Sequence, residues 1–218
     1  VINRFESIRS GIWVSQCANK YKRLALLGLI ASMESVANAK RDGKCWRYKD
    51  DWQQRNYKGS DLEQAFTENV GQYAEDIEEC ESLTTSPSVY QGDSRRLSLS
   101  VNRRRRFDAV VTSPPYPNSF DYTDIYRPEL YLLGRANSSQ DLRELKTKTW
   151  GSHVQTKWLE PPEVDIEMVR RIVNELRKED LWDKRLPDMV EAYFADLEAV
   201  VNACQMRVRL GGYVAFVV

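Results

Sequence analysis

Two periodicities divide the chain. Over residues 1–40 apolar positions return at helical spacing: Ile12, Trp13 and Val14, then Tyr21, Leu24, Leu27, Ile30, Ala31, Met33 and Ala37. Leu24 to Ala31 is apolar nearly all round, the pattern of a buried helix. A further helix is predicted from Asp61, as N-cap, to about Glu81, with Leu62, Phe66, Val70 and Tyr73 on one face. Residues 40–60 between them are polar and read as a loop carrying Trp46, Tyr48 and Trp52 at intervals. Further on the period shortens. Ser88 to Ser94 reads as a strand closed by a Gly-Asp turn. Ala109 to Val111 is a short apolar run of the kind a buried parallel strand shows, and Tyr213 to Val218 is another. Helical character returns over Asp121 to Gly134, with Gly134 as the stop. It returns again after Pro161-Pro162, with Val169, Ile172, Val173 and Leu176 on one face. A last helix opens at Pro187-Asp188, carries Val190, Tyr193, Phe194, Leu197, Val201 and Cys204, and is ended by Arg209-Leu210-Gly211-Gly212. Residues 135–160 are polar with little periodicity and read as a long loop. Strands separated by helices make the class α/β.

Composition narrows the options. The 218 residues suffice for one domain, or one domain with an appendage. Hydrophobic residues at 42% and charged residues at 29% are ordinary for a soluble globular protein. A formal net charge of zero excludes a protein coated in basic charge and leaves room for a local basic groove. Cys17, Cys45, Cys80 and Cys204 form no C-x-x-C pair, so neither a disulfide framework nor a zinc site is expected. His153 is the single histidine, which excludes a histidine-rich metal site. The longest apolar run, Leu24 to Met33, is too short to span a bilayer, and no signal peptide is visible. The expectation is a cytoplasmic protein without a membrane partner. The chain opens on Val and closes inside an apolar run, so a piece of a longer protein is also expected.

The most informative stretch is Phe107-Asp108-Ala109-Val110-Val111-Thr112-Ser113-Pro114-Pro115-Tyr116. Two consecutive prolines fix two φ angles and remove two backbone donors, and Pro114 biases Ser113 toward extended geometry. The strand must stop there, and the turn that follows is stiff. In open α/β sheets ligands sit outside the carboxyl ends of strands. A rigid polar turn ending in an aromatic at that place is a candidate active-site loop. Thr-Ser-Pro-Pro-Tyr after a short apolar strand resembles the catalytic motif of the DNA amino-methyltransferases, (Asp/Asn/Ser)-Pro-Pro-(Tyr/Phe). The continuation Pro117-Asn118-Ser119-Phe120-Asp121-Tyr122, then Glu129 and Leu132-Leu133-Gly134, is similar to a branch of the same enzymes.

The resemblance implies an S-adenosylmethionine-dependent enzyme that methylates the N4 of cytosine or the N6 of adenine in DNA, the Ser form being similar to many cytosine-N4 members. An exocyclic amine is a poor nucleophile because its lone pair is delocalised into the ring. Acceptors on its N–H groups draw the nitrogen toward sp³ geometry. By resemblance those acceptors are the Ser113 side chain and the Pro114 carbonyl, with Pro114 and Pro115 holding them in place. Tyr116 stacks on a base flipped from the duplex, and transfer is a direct in-line displacement without a covalent enzyme intermediate. No cysteine here follows a proline, unlike the nucleophile of carbon-5 cytosine methylases. The resemblance further assigns Asp93 and Thr112 to the cofactor, and Asn118, Asp121 and Tyr122 to the substrate. Asp93 has a second reading as the cap of a turn, and Glu129 one as a brace for the loop or the partner of an arginine. Arg103 to Arg106 either bind phosphate or form a solvated loop. Lys146, Lys148, His153 and Lys157 either face nucleic acid or are surface residues. Basic and aromatic residues interleave over 40–60, as in sites that stack on bases, or as in a loop packed onto a surface.

The implied fold is a partial class I, Rossmann-like methyltransferase domain over residues 86–218, behind an N-terminal helical segment over 1–85. The family's Phe-x-Gly-x-Gly cofactor turn has no counterpart, because no Gly-x-Gly occurs among the ten glycines. A second chain or a missing segment is therefore expected to supply it. Two other readings compete: an enzyme with the same motif acting on an RNA guanine amine or a protein amide, and a non-catalytic nucleic-acid-binding subunit.

Overall fold

The computed structural model describes residues 1–43, 45–80, 87–97, 101–102, 104–118, 120–155 and 164–217. The chain divides into two compact units, one of residues 1–86 and 124–137, the other of residues 87–123 and 138–218.

The first unit is a helical layer with a hairpin. Helices α1 (Ile2–Val14), α2 (Asn19–Ser35) and α3 (Gly59–Glu79) pack together with α5 (Arg127–Leu132). Their shared core is Phe5, Leu29, Val36, Leu62 and Leu132, with Ile8, Met33 and Phe66 against it. Gly28 lets α2 and α3 approach, since a Cβ there would stand 2.8 Å from Val70 Cγ2. The buried Ser32 hydroxyl donates to the Gly28 carbonyl at 2.7 Å and accepts from Asn69 at 2.9 Å, so this buried hydroxyl is satisfied. Helix α3 begins two residues before Asp61, whose carboxylate reaches back to accept from the Lys58 backbone N–H at 2.7 Å rather than serving as the N-cap itself.

The expected loop at 40–60 is in part an antiparallel hairpin, β1 (Ala39–Asp42) and β2 (Cys45–Tyr48). Gly43, at φ +58°, supplies the left-handed backbone that a tight hairpin turn requires. The strands carry Lys, Arg and Asp in place of alternating apolar residues, which hid them in the sequence.

In the second unit, β3 (Phe107–Thr112) pairs in parallel with β4 (Val208–Phe216). The register slips between Phe107↔Val208 and Ala109↔Tyr213, so Leu210-Gly211-Gly212 bulges out of β4. The two glycines thus lie inside the strand and do not end the helix before it. Gly211 has φ +80°, and a Cβ on Gly212 would stand 2.6 Å from the Asp108 carbonyl. The strand expected at Ser88 to Ser94 does not form: Val89 is exposed and pairs with no strand among the described residues. Nor is β3 buried as its composition suggested. Val111 is 73% exposed, and Tyr213 and Leu210 on β4 are open too, since among the described residues only two strands form this sheet and little covers them.

Helices α7 (Glu167–Leu176) and α8 (Leu186–Gln205) pack through Val169 and Val173 against Val190 and Phe194. Pro161-Pro162 lies outside the described residues, and α7 starts at Glu167. Within the predicted loop 135–160 a helix forms, α6 (Ser139–Lys146), held by a reciprocal box in which the Ser138 hydroxyl accepts from Asp141 N–H and the Asp141 carboxylate accepts from Ser138 N–H. The short helix α4 (Tyr122–Ile125) carries the chain from the second unit into the first. Gly134 closes α5 at φ +66°, as expected. The α/β class holds, with two sheets of two strands among the described residues. Among the described residues no helix is long and apolar enough to cross a membrane.

Candidate active site

The parallel pairing carries β3 up to Thr112, opposite Phe216, and its last ladder bond is from Val217 N–H to the Thr112 carbonyl at 2.9 Å. Thr112 is thereby fixed by its backbone. Ser113 follows at the carboxyl end of the strand, exposed, with its hydroxyl donating to the Val217 carbonyl at 3.2 Å. A carbonyl has no proton to give, so the Ser113 proton points to Val217 and the lone pairs of its oxygen are left for another donor. Pro114 is buried and Pro115 half-buried, which seats the turn. Among the described residues no hydrogen bond goes to the Pro114 carbonyl. Tyr116 is 41% exposed. A tight turn follows, with Asn118 N–H donating to the Tyr116 carbonyl at 2.8 Å. Burial, with Tyr116 nearby adding to it, raises the Tyr193 phenol above its ordinary pKa.

Asp121 does not open into solvent. It is 7% exposed, and its carboxylate accepts from Thr123 N–H at 2.9 Å and from the Thr123 hydroxyl at 2.6 Å. Lys146 Nζ lies 2.6 Å from the other oxygen, and His153 Nε2 lies 4.0 Å from the first. Burial acts to raise the Asp121 pKa, but Lys146, Thr123 and His153 outweigh it and hold the carboxyl below its ordinary range. His153 is almost fully buried, with Nε2 at 3.1 Å from the Thr149 hydroxyl, so it is a core residue and not a surface one. Lys146 also donates to Gln155 at 2.7 Å. The structure thus unites Asp121, Lys146 and His153, a group that local sequence patterns did not connect. Tyr122 stays exposed, its ring 4.6 Å from that of Phe120.

Asp93 takes the capping role. Its carboxylate accepts from Arg95 N–H at 3.0 Å, over the single turn Ser94–Arg96, and both its oxygens are held by the Arg95 guanidinium at 2.9–3.1 Å. Arg95 therefore holds the Asp93 carboxyl below the usual range. Arg95 continues to Asp196 at 2.9 Å and to the Lys148 carbonyl at 3.1 Å, while Asp196 accepts from Gly151 N–H at 2.9 Å. This network ties residues 93–96 and 148–151 to α8. Sequence reasoning missed Arg95 and Asp196, whose separation along the chain leaves no local signal.

In the first unit, Glu129 is buried and ion-paired with Arg41, the arginine partner expected of it. Tyr48 and Trp52 pack on each other, rings 4.6 Å apart. Arg104, Arg105 and Arg106 are exposed, with Arg105 donating to the Tyr90 hydroxyl at 3.0 Å; Arg103 and Lys157 lie outside the described residues. Among the described residues no group of acidic, His and Cys side chains has the arrangement of a metal site.

No protein-family model matches the chain, and no solved structure matches it either. Curated proteins do. The chain is 24% identical over 229 residues to the type II methyltransferase M.AvaI of Nostoc sp., and equally so to the protein of that name from Anabaena variabilis. It is 26% identical over 254 residues to the type II methyltransferase M.BsoBI of Geobacillus stearothermophilus. The alignments cover 90% and 93% of this chain but 46% and 49% of those proteins, so the chain spans about half the length of the curated relatives it matches. Over nine-tenths of its length, then, the chain is similar to type II methyltransferases.

Proposed function

We propose that this chain carries the catalytic loop of a DNA methyltransferase that moves a methyl group from S-adenosylmethionine to an exocyclic amine of a base, cytosine N4 in the first place and adenine N6 as the alternative. The observation that carries this reading is the Ser113 hydroxyl. Its proton is committed to the Val217 carbonyl, so its oxygen is left to act as an acceptor. Beside it the Pro114 carbonyl is a second acceptor on a backbone that two prolines stiffen. Two fixed acceptors are what an aromatic amine needs on its N–H bonds before its lone pair can attack. Tyr116, half-exposed at the tip, offers a ring face to a base taken out of the stack. The names of the relatives favour this reading over a protein or RNA substrate and over a non-catalytic subunit.

The residues in hand do not by themselves fit the cofactor. There is no Gly-x-Gly turn to approach it, and the Asp93 oxygens are taken up by Arg95. The bare faces of the β3–β4 pair point the same way, because parallel sheets are ordinarily covered on both sides. We place the glycine-rich cofactor turn outside these 218 residues, in sequence or in a partner chain corresponding to the half of the relatives that this chain does not span. The setting is restriction–modification, in the cytoplasm beside the DNA.

The test is methyl transfer from labelled S-adenosylmethionine to DNA by the full-length protein and its Tyr116→Ala and Ser113→Ala variants. Both variants should keep the fold and lose transfer, with Ser113→Ala down by roughly 100-fold or more, the effect of removing one preorganised polar contact to the reacting group. A fully active Tyr116→Ala protein sinks the assignment.

A further inference from the structure

The β1–β2 hairpin carries chemistry that the catalytic loop does not use. Its register pairs Lys40 with Arg47 and Arg41 with Trp46. Directly paired residues share a face of the ribbon and neighbouring pairs take opposite faces. One face is anchored to its own unit: Trp46 Nε1 donates to the Ile125 carbonyl at 2.8 Å, Arg41 pairs with Glu129, and the Arg41 guanidinium lies 5.1 Å from the Tyr126 ring centre. The other face presents Lys40, Asp42, Cys45 and Arg47, all exposed.

On that open face Lys40 and Arg47 stand directly opposite one another, and like charges so placed destabilise a ribbon. Asp42 takes up Arg47 at 2.5 Å, and among the described residues Lys40 has no ion-pair partner. Among the described residues, folding gives Arg47 a partner in Asp42 but gives Lys40 none. The wider segment agrees: residues 38–58 hold seven basic and three acidic side chains in a chain whose net charge is zero. The excess is local, as a docking surface for a polyanion requires. A two-stranded ribbon is also one of the shapes that the major groove of duplex DNA admits.

We infer that the open face of this hairpin is a duplex-DNA contact, with Lys40 and Arg47 on backbone phosphates. The inference rests on the methyltransferase reading for the identity of the polyanion. Phosphate contacts fix position and register without reading sequence, so the hairpin holds the protein on DNA irrespective of the recognition site.

The experiment is fluorescence anisotropy of the full-length protein on a labelled duplex, from about 50 to about 200 mM salt, beside the methyl-transfer assay. For Lys40→Gln/Arg47→Gln the slope of log K against log salt should flatten by roughly 2, and binding at about 0.1 M salt should weaken by roughly 10- to 60-fold, equally on cognate and unrelated duplexes. Lys40→Gln alone leaves every ion pair in place and should flatten the slope by roughly 1. An unchanged slope with affinity within about twofold of wild type overturns the inference, as does a loss confined to RNA or to an acidic protein. If the wild type methylates DNA while the variants bind as it does, only the hairpin assignment falls. If the wild type neither binds duplex nor methylates it, both readings fall.

Discussion

Replacing Lys146 by Met tests whether the segment after the Ser-Pro-Pro-Tyr turn is held by buried charge. Asp121 is 7% exposed, and Lys146 is its closest cation at 2.6 Å. Removing one partner of a buried pair costs about 3–5 kcal/mol, because the other charge is left uncompensated. Here Asp121 keeps two bonds from Thr123, and Lys146 is not wholly buried, so the cost falls somewhat below that range, at about 2–3 kcal/mol. Thr123 N–H donates to Asp121 and reports the change directly by hydrogen exchange. Its exchange should speed up by roughly 30- to 150-fold, at 1.4 kcal/mol for each factor of ten. The pH dependence has a definite sign. In the wild type the Asp121 pKa is depressed, so its contribution is present above the unfolded value near ~3.9 and is lost as pH falls through the folded one. Without Lys146 the largest influence left is burial, which favours the neutral acid. Acidification then relieves the variant, because protonating the carboxyl removes the uncompensated charge. The ratio of variant to wild-type exchange should therefore shrink on acidification. A ratio below about 2 at neutral pH, or one that grows on acidification, would refute the reasoning, for it would mean that the pair behaves as an exposed salt bridge.

Two further outcomes follow from packing. Gly151→Ala places a methyl 2.8–2.9 Å from Ala192 and from the Tyr193 backbone N, where rigid helix and not a flexible side chain stands in the way; it should cost about 2–3 kcal/mol in thermal or denaturant unfolding, and a neutral result would show that the turn does not press on α8. Leu62→Ala removes a fully buried side chain from the core shared by α1, α2, α3 and α5, and should lower the unfolding free energy of that unit by about 3 kcal/mol, read as loss of helical circular dichroism at a lower denaturant concentration.

What was legible in the sequence was local. The Ser-Pro-Pro-Tyr turn announces itself because strand, double proline and aromatic sit side by side, and the helices α1, α2, α3 and α8 because their apolar faces repeat within a few residues. What was hidden depends on partners far along the chain. The grouping of Asp121 with Lys146 and His153 joins residues some 25 to 32 positions apart, which no local pattern reveals. His153 looked like a surface residue because nothing near it signals burial; Gly151, lacking a Cβ, is what lets its turn press onto α8. The hairpin escaped because β1 and β2 carry charge on the face that a strand usually makes apolar, leaving Gly43 as the visible sign. Helix α6 did leave a signal, the Ser138-x-x-Asp141 box, inside a stretch whose polarity argued for a loop. The β4 bulge follows from a backbone approach, Gly212 against Asp108, that no pattern of side chains reveals.

These partners give the exposed turn its stiffness. At its start, Thr112 and Ser113 are bonded to Val217, and through it to the parallel pair. At its end, Asp121 is bonded to Thr123 and ion-paired with Lys146, both within the same unit. Between the two anchors stand Pro114 and Pro115, whose φ angles are fixed by their rings. An exposed segment held at both ends and rigid at its centre loses little entropy when a substrate arrives, since its order is already imposed by folding. That is the arrangement acceptors need if they are to be in place before an amine reaches them. The charge buried at Asp121 then has a use that a hydrophobic anchor would not supply. Its geometry is directional, so it fixes where the turn ends as well as holding it down.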